Sequence, residues 1–75
     1  MWEKLDDRKS LMLTALEQNN VSIIDLSNAL SVSEKTIKKE IQILNHQLKD
    51  GAYIYLKNGI VSLFIYNFEI YNYLK

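Results

Sequence analysis

The sequence predicts an α+β fold, a winged helix-turn-helix in which three helices are followed by a β-hairpin wing and a short C-terminal segment. Two observations lead to this prediction. Residues 21–49 contain two amphipathic segments that only residues 31–33 separate, which is the spacing of a helix-turn-helix. Downstream of them the apolar period changes from that of a helix to that of a strand. The strand pattern lies on both sides of Asn58-Gly59, a strong signal for a two-residue hairpin turn.

Length and composition indicate one small domain. The chain has 75 residues, of which 48% are hydrophobic, and a domain of this size buries roughly 60% of its unfolded surface. Cysteine is absent, which excludes disulfides and zinc–thiolate sites. No apolar run approaches the roughly 20 residues of a membrane span, and acidic residues near the N-terminus do not fit a signal peptide. We therefore expect a cytoplasmic protein without membrane association.

The first helix is predicted over about residues 6–18, with Asp6 or Asp7 as its N-cap. Asn19 and Asn20 are expected to end it, because asparagine tolerates the left-handed conformation of a helix C-cap. Its apolar face is predicted to consist of Met12, Ala15 and Leu16.

The second helix is predicted over residues 23–30. Ser22 is its expected N-cap, and Asp25 three residues later resembles a capping box. In the turn that follows, Val32 is expected to enter the core. The inward face of this helix is predicted to carry Ile23 or Ile24, Leu26, Ala29 and Leu30.

The third helix is predicted over residues 34–49, with Ser33 as its N-cap and Asp50-Gly51 as its end. Ile43 lies outside its apolar stripe, where it would cover a wing strand or meet another part of a longer protein. The stripe, whose members fall within about 40° of one another, is Ile37, Ile41, Leu44 and Leu48. The opposite side carries Lys35, Lys39, Gln42 and His46, with Thr36 and Lys38 on the flanks.

The hairpin is predicted over about residues 52–66, and residues 67–75 form the C-terminal segment. A type I′ turn at Asn58-Gly59 fixes the strand register. That register pairs Leu56 with Val61, Ile54 with Leu63 and Ala52 with Ile65 on one aliphatic face. The other face receives Tyr53, Tyr55, Lys57, Ser62 and Phe64. If the C-terminal segment is helical, its possible apolar contacts are Phe68, Tyr71 and Leu74, or Ile70 and Leu74.

The net charge is zero, but the charges are unevenly distributed along the chain. The first helical segment contains the acids Glu3, Asp6, Asp7 and Glu17. The second half contains Lys35, Lys38, Lys39 and Lys57. This separation predicts one basic face on a neutral molecule, with modest non-specific DNA affinity and dependence on a second copy.

The predicted partner is double-stranded DNA, with the third helix in the major groove. Lysines on a helix face are also common as simple solvated residues, and Ser33 and Asn58 have structural roles as cap and turn residue. Tyr53, Tyr55 and Phe64 are an alternative stacking platform for single strands, or a packing surface. The predicted DNA-binding residues are Ser33, Lys35, Thr36, Lys38, Lys39, Gln42 and Lys57.

The sequence offers no pattern for catalysis, cofactor binding or a metal site. His46 has no Asp, Glu or Cys at ligand spacing, and we interpret it as an exposed polar residue. No Ser-His-Asp set, paired carboxylates or glycine-rich phosphate loop is found. We therefore expect no enzyme activity, no cofactor and no small-molecule ligand in this segment.

The segment from Ser31 to Asn45 resembles the recognition segment of bacterial winged-helix regulators, including DeoR-like proteins. It is also similar to the N-terminal domains of BglG-type and Mga-type regulators. The positions that match the pattern are Val32, Ser33, Thr36, Ile37, Lys38, Glu40, Ile41, Leu44 and Asn45. The wing and the aromatic C-terminal segment look most like Mga-type virulence regulators of Gram-positive bacteria, in which regulatory domains follow the winged helices. The resemblance implies that residues 1–75 are the N-terminal DNA-binding domain of a longer, oligomeric regulator.

Two features depart from the family pattern. Ser31 stands where these turns often place Gly or Asn, so we expect its backbone to be less strained than in the pattern. Lysines replace the usual arginines, which weakens the expectation of bidentate guanine contacts.

Two other functions compete with duplex DNA binding. A winged helix can serve as a protein-interaction or dimerisation module, which the zero net charge, Ile43 and the aromatic wing face favour. RNA binding is a third hypothesis, because BglG-type proteins act on transcripts, although they use a different N-terminal module for it.

Overall fold

The predicted winged helix-turn-helix fold is confirmed by the computed structural model, which describes residues 7–75. Three helices precede a β-hairpin, and a short additional strand and a fourth helix complete the domain. No helix in this described range is both long and apolar enough to cross a membrane. The elements in chain order are α1 (Asp7–Gln18), β1 (Val21–Ser22), α2 (Ile23–Leu30), α3 (Glu34–Leu48), β2 (Ala52–Lys57), β3 (Ile60–Ile65) and α4 (Phe68–Leu74).

Helix α1 ends at Gln18, directly before Asn19 and Asn20 as predicted, but the conformation of these two asparagines differs from the prediction. Asn19 and Asn20 do not adopt the left-handed conformation, because the chain continues directly into β1 and needs no reversal there. The Asn19 N–H donates to the Ala15 carbonyl oxygen at 3.2 Å, which is a regular helical bond. Of the two predicted N-caps, Asp7 is the first described residue of α1, and Asp6 lies outside the described residues.

Helix α2 begins as predicted, with Ser22 Oγ accepting the Asp25 N–H at 3.0 Å. Ile23, and not the exposed Ile24, enters the core. The prediction for Ala29 was wrong, since it is exposed. It lies about 100° from Leu30 around the helix axis, outside the buried stripe, and the buried Ser27 lies within that stripe instead.

The helix-turn-helix turn contains a left-handed residue. Ser31 has φ 56° and ψ 44°, so the expectation of a less strained backbone was wrong. Its N–H donates to Asn28, and the Val32 N–H donates to the Ser27 carbonyl oxygen at 3.0 Å, which together form a Schellman motif. This motif needs positive φ at Ser31, and it directs the half-buried Val32 onto the core.

The sheet has three antiparallel strands in the order β1-β3-β2. Asn58 and Gly59 have φ values of 53° and 76°, as a type I′ turn requires. The predicted register between β2 and β3 is confirmed at all three pairs. Strand β1 was not predicted; it pairs Val21 with Val61 on the other side of β3. Ser62 is buried, unlike the other residues assigned to the polar wing face.

The core lies between the helices and the aliphatic side of the sheet. The predicted α3 stripe is buried in it, and Tyr71 of α4 is completely buried as well. Phe68, one of the alternative contacts of the C-terminal segment, is exposed over 64% of its surface. Gly51 allows α4 to approach, because a Cβ at that position would lie 2.6 Å from the backbone nitrogen of Tyr71.

Candidate nucleic-acid interface

The N-terminus of α3 is closed by two hydroxyl side chains. Ser33 Oγ accepts the Thr36 N–H at 3.1 Å, which confirms its predicted role as N-cap. The two hydroxyl oxygens lie 3.0 Å apart and share a hydrogen bond. Both hydroxyls are therefore engaged in the cap, and Thr36 is half-buried. The cap fixes the direction in which α3 leaves the turn.

One side of α3 is exposed along the first three turns of the helix. Lys35, Lys38, Lys39 and Gln42 are all exposed there, whereas the opposite stripe is buried in the core. His46 is exposed further along the helix. The structure therefore brings the predicted α3 residues onto one accessible surface, which we call the α3 face.

Glu40 directly follows the last lysine of the α3 face in the sequence, but it does not reduce the charge of that face in the fold. Its carboxylate is almost completely buried and lies 3.1 Å from Lys9 Nζ and 3.5 Å from Arg8 Nη1 of α1. The negative charge is thus neutralised from behind, and the lysines of the α3 face keep their positive potential. Helix α1 is not simply acidic, because it supplies these two cations.

The ion pairs of Glu40 with α1 were not predicted from the sequence. Glu40 matched the family pattern, but nothing in its local neighbourhood predicts a partner on α1. The useful signal was a charged residue at a position that helical periodicity places beside the buried Ile37 and Ile41. A buried charge requires a partner, so a search for one would have considered Lys9.

A cleft of about 350 Å³ separates α3 from strand β2. Lys38 and Gln42 of the α3 face line one side, and Tyr53 and Tyr55 line the other. We call it the α3–β2 cleft; its remaining lining residues are Ile41, Asn45, Ile54 and Leu56. The predicted site residue Lys57 is exposed at the end of β2, beside the hairpin turn and apart from the α3 face.

Asn45 connects the two walls of this cleft. Its Nδ2 donates to the Ile54 carbonyl oxygen at 2.8 Å, and its Oδ1 accepts the Ile54 N–H at 2.7 Å. Because β2 is an edge strand, these backbone groups have no neighbouring strand to pair with on that side. A single side chain therefore fixes the position of the wing relative to α3.

Comparison with known proteins identifies the family of this chain. A family model described as an HTH domain matches residues 8–60, which is more than two thirds of the chain and extends from α1 to the start of β3. No curated protein and no solved structure matches the chain. The match is to helix-turn-helix domains in general, and it does not distinguish the Mga-type from the BglG-type subfamily.

Proposed function

We propose that this chain, which belongs to the helix-turn-helix domain family, binds duplex DNA sequence-specifically as part of a bacterial transcription regulator. The basis is that this family consists of DNA-binding domains and not of enzymes. In this proposal α3 enters the major groove and the wing contacts the adjacent backbone. Residues 1–75 form one domain of a longer protein, in the Mga-type or BglG-type class that the recognition segment resembles. A second copy, bound through this domain or a further one, completes the binding unit.

The observation that carries the proposal is the α3 face. Its three lysines are exposed on one surface, and Glu40, the acid that directly follows Lys39 in the sequence, is paired with α1. Such a surface attracts the phosphate backbone and presents side chains to base edges at the same time.

Each predicted residue has a role in this proposal. Lys35, Thr36 and Lys39 lie near the start of α3, where a recognition helix contacts base edges and phosphates. The amide end of the helix at Ser33 favours a phosphate. Lys38 and Lys57 contact the backbone, and Gln42 lies one turn further on, where it can bind an adenine edge or a phosphate.

The test uses the double variant Lys35→Ala, Lys39→Ala and a short duplex selected from random sequences by the wild-type chain. Each lost phosphate contact reduces the slope of log affinity against log salt by about 0.9. We expect a slope smaller by about 1.8 and a large loss of affinity, with an unchanged circular dichroism spectrum. Fluorescence anisotropy between about 50 and 200 mM salt measures both quantities.

Lys49→Ala is the matched control, because it removes an exposed lysine from the far end of α3. This variant should bind like the wild type. Unchanged affinity of the double variant at every salt concentration would contradict the assignment of α3 as the recognition helix.

A protein-interaction or dimerisation module is the second candidate, and exposed apolar side chains favour it. Ile43 is 37% exposed on α3, and the exposed rings of Phe64 and Tyr66 lie 6.1 Å apart. If these exposed apolar side chains or Phe68, which is exposed over 64% of its surface, mediate self-association, Ile43→Glu or Phe68→Glu will abolish it in sedimentation experiments without a change in DNA affinity.

A further inference from the structure

We propose that the α3–β2 cleft binds a backbone phosphate of duplex DNA, with the hydroxyls of Tyr53 and Tyr55 and the ammonium group of Lys38 as donors. This inference rests on the proposed function and deepens it. It adds two tyrosines of the edge strand to an interface otherwise ascribed to α3 and the wing tip.

The cleft lies on the path between the two outer parts of the interface. Lys38 and Gln42 belong both to the α3 face and to the cleft wall. Alternate residues of a strand share one face, so Tyr53, Tyr55 and Lys57 lie in a row on β2. A DNA strand that leaves the groove occupied by α3 and reaches Lys57 therefore passes over the cleft.

The two tyrosine hydroxyls are available as donors. Among the five tyrosines, Tyr66 donates to the Lys49 carbonyl oxygen and Tyr71 donates to Glu17. Within residues 7–75 the hydroxyls of Tyr53 and Tyr55 have no protein partner. Their side chains are exposed over 52% and 45% of their surface, although each lines the cleft.

The charge of the cleft suits a phosphate. Its lining contains one cation, two phenolic hydroxyls and two amide side chains, and no acid. A phosphate oxygen accepts hydrogen bonds from all of these groups, and a donor to an ionised acceptor forms a stronger bond than a neutral pair. A peptide carboxylate has similar chemistry, but continuity with the α3 face and Lys57 favours the DNA backbone.

The spacing of the cleft walls is set by hydrogen bonds within the protein. The two hydrogen bonds between Asn45 and Ile54 hold its walls together, with lengths of 2.8 and 2.7 Å. A preformed site avoids the entropic cost of ordering its walls on binding. A phosphate that enters between Lys38 and Tyr55 therefore meets two walls whose backbones are already held at a fixed spacing.

The test is the double variant Tyr53→Phe, Tyr55→Phe, which removes the hydroxyls and retains both rings. We expect affinity for the selected duplex to fall by about tenfold, roughly threefold for each lost hydrogen bond. Since no charge is lost, the salt slope should stay unchanged. Lys38→Ala, in contrast, should lower the slope by about 0.9. Tyr73→Phe is the control, because it removes a phenolic hydroxyl from α4.

The outcomes separate this inference from the proposed function. If Lys35→Ala, Lys39→Ala weakens binding but Tyr53→Phe, Tyr55→Phe binds like the wild type, the cleft proposal is overturned and the function stands. If only replacement of both tyrosines by alanine weakens binding, the rings act by stacking and the phosphate assignment is likewise overturned. If the wild-type chain binds no duplex at the lowest salt, both proposals fail.

Discussion

Ser31 carries the tightest conformational requirement of the helix-turn-helix. A left-handed backbone places Cβ close to the following carbonyl oxygen, which costs roughly 1–2 kcal/mol for a residue other than glycine. The Schellman bonds that end α2 impose this conformation whichever residue occupies the position. The family pattern, which often has Gly or Asn at this position, was therefore a better guide to the backbone than the identity of the serine.

Ser31→Gly should stabilise the domain. Glycine removes the steric cost at positive φ but also increases the entropy of the unfolded chain, so we expect a net gain of about 0.5–1 kcal/mol in the free energy of unfolding. Urea denaturation followed by circular dichroism measures it. Ser10→Gly is the control, since this exposed residue lies within α1 and glycine there should destabilise the helix. A lower urea midpoint for Ser31→Gly would contradict the interpretation.

The wing is attached to α3 by one asparagine as well as by apolar packing. Asn45 replaces the missing neighbour strand of β2 at Ile54, so the edge is protected there and the wing cannot shift along α3 without losing both bonds. The relative position of recognition helix and wing, which decides whether both can contact one duplex, depends on this residue.

Asn45→Ala should loosen the wing without unfolding the helices. The variant leaves the Ile54 N–H and C=O without protein partners, and we expect a loss of about 1–3 kcal/mol in the free energy of unfolding. Hydrogen exchange followed by NMR should show faster exchange at the Ile54 amide than at the amides of α1. Asn72→Ala, at an exposed position in α4, should change neither. Equal acceleration at all amides would mean that Asn45 supports the whole fold and not the wing alone.

The elements that sequence predicted are those with local signals. Asn58-Gly59 determined the hairpin register, because the turn fixes which residues face each other. The α3 stripe followed from helical period over four turns. Strand β1 has only two residues, too few for a periodic pattern, and it forms because β3 offers an unpaired edge.

The contacts that sequence did not predict join residues of different structural elements. Lys9 with Glu40, Asn45 with Ile54 and Gly51 with Tyr71 depend on how the elements pack. The C-terminal segment was ambiguous for the same reason, since it forms a helix of only seven residues that buries Tyr71 against this packing. For the DNA site, sequence identified the exposed α3 residues, and their contacts with DNA stay predictions.

At the level of the whole molecule, α1 makes a polar contact with the C-terminal end of the domain at α4, in addition to its contact with Glu40 of α3. The Tyr71 hydroxyl donates to Glu17, and Lys75 Nζ lies 2.9 Å from the same carboxylate. The Lys75 ammonium also lies 5.3 Å from the centre of the Tyr71 ring. This contact joins the first described helix to the last one, on residues that lie 54 and 58 positions apart.

The contribution of this contact to the stability of the fold decreases at low pH and at high pH. The hydrogen bond from Tyr71, aided by Lys75 and opposed by burial, lowers the pKa of Glu17 below its ordinary value of 4.5. Burial, followed by the hydrogen bond and charge of Glu17, raises the pKa of Tyr71 above its ordinary value of 10.0. The contribution of Glu17 is present above its unfolded pKa and is lost as the pH falls through the lower folded value. That of Tyr71 is present below its unfolded pKa and is lost as the pH rises towards the higher folded value.

Tyr71→Phe should therefore flatten the pH dependence of stability at both ends. At neutral pH the variant should be less stable by about 0.5–1.5 kcal/mol, the net value of one intramolecular hydrogen bond. Its difference from the wild type should shrink below the unfolded pKa of glutamate and above that of tyrosine, because the wild type loses the contact there. Thermal unfolding across the pH range measures this difference. Tyr53→Phe, which removes a hydroxyl without a partner in residues 7–75, should follow the wild type throughout. If Tyr71→Phe is as stable as the wild type at every pH, the hydroxyl contributes nothing and the Tyr71 ring alone holds α4 against α1.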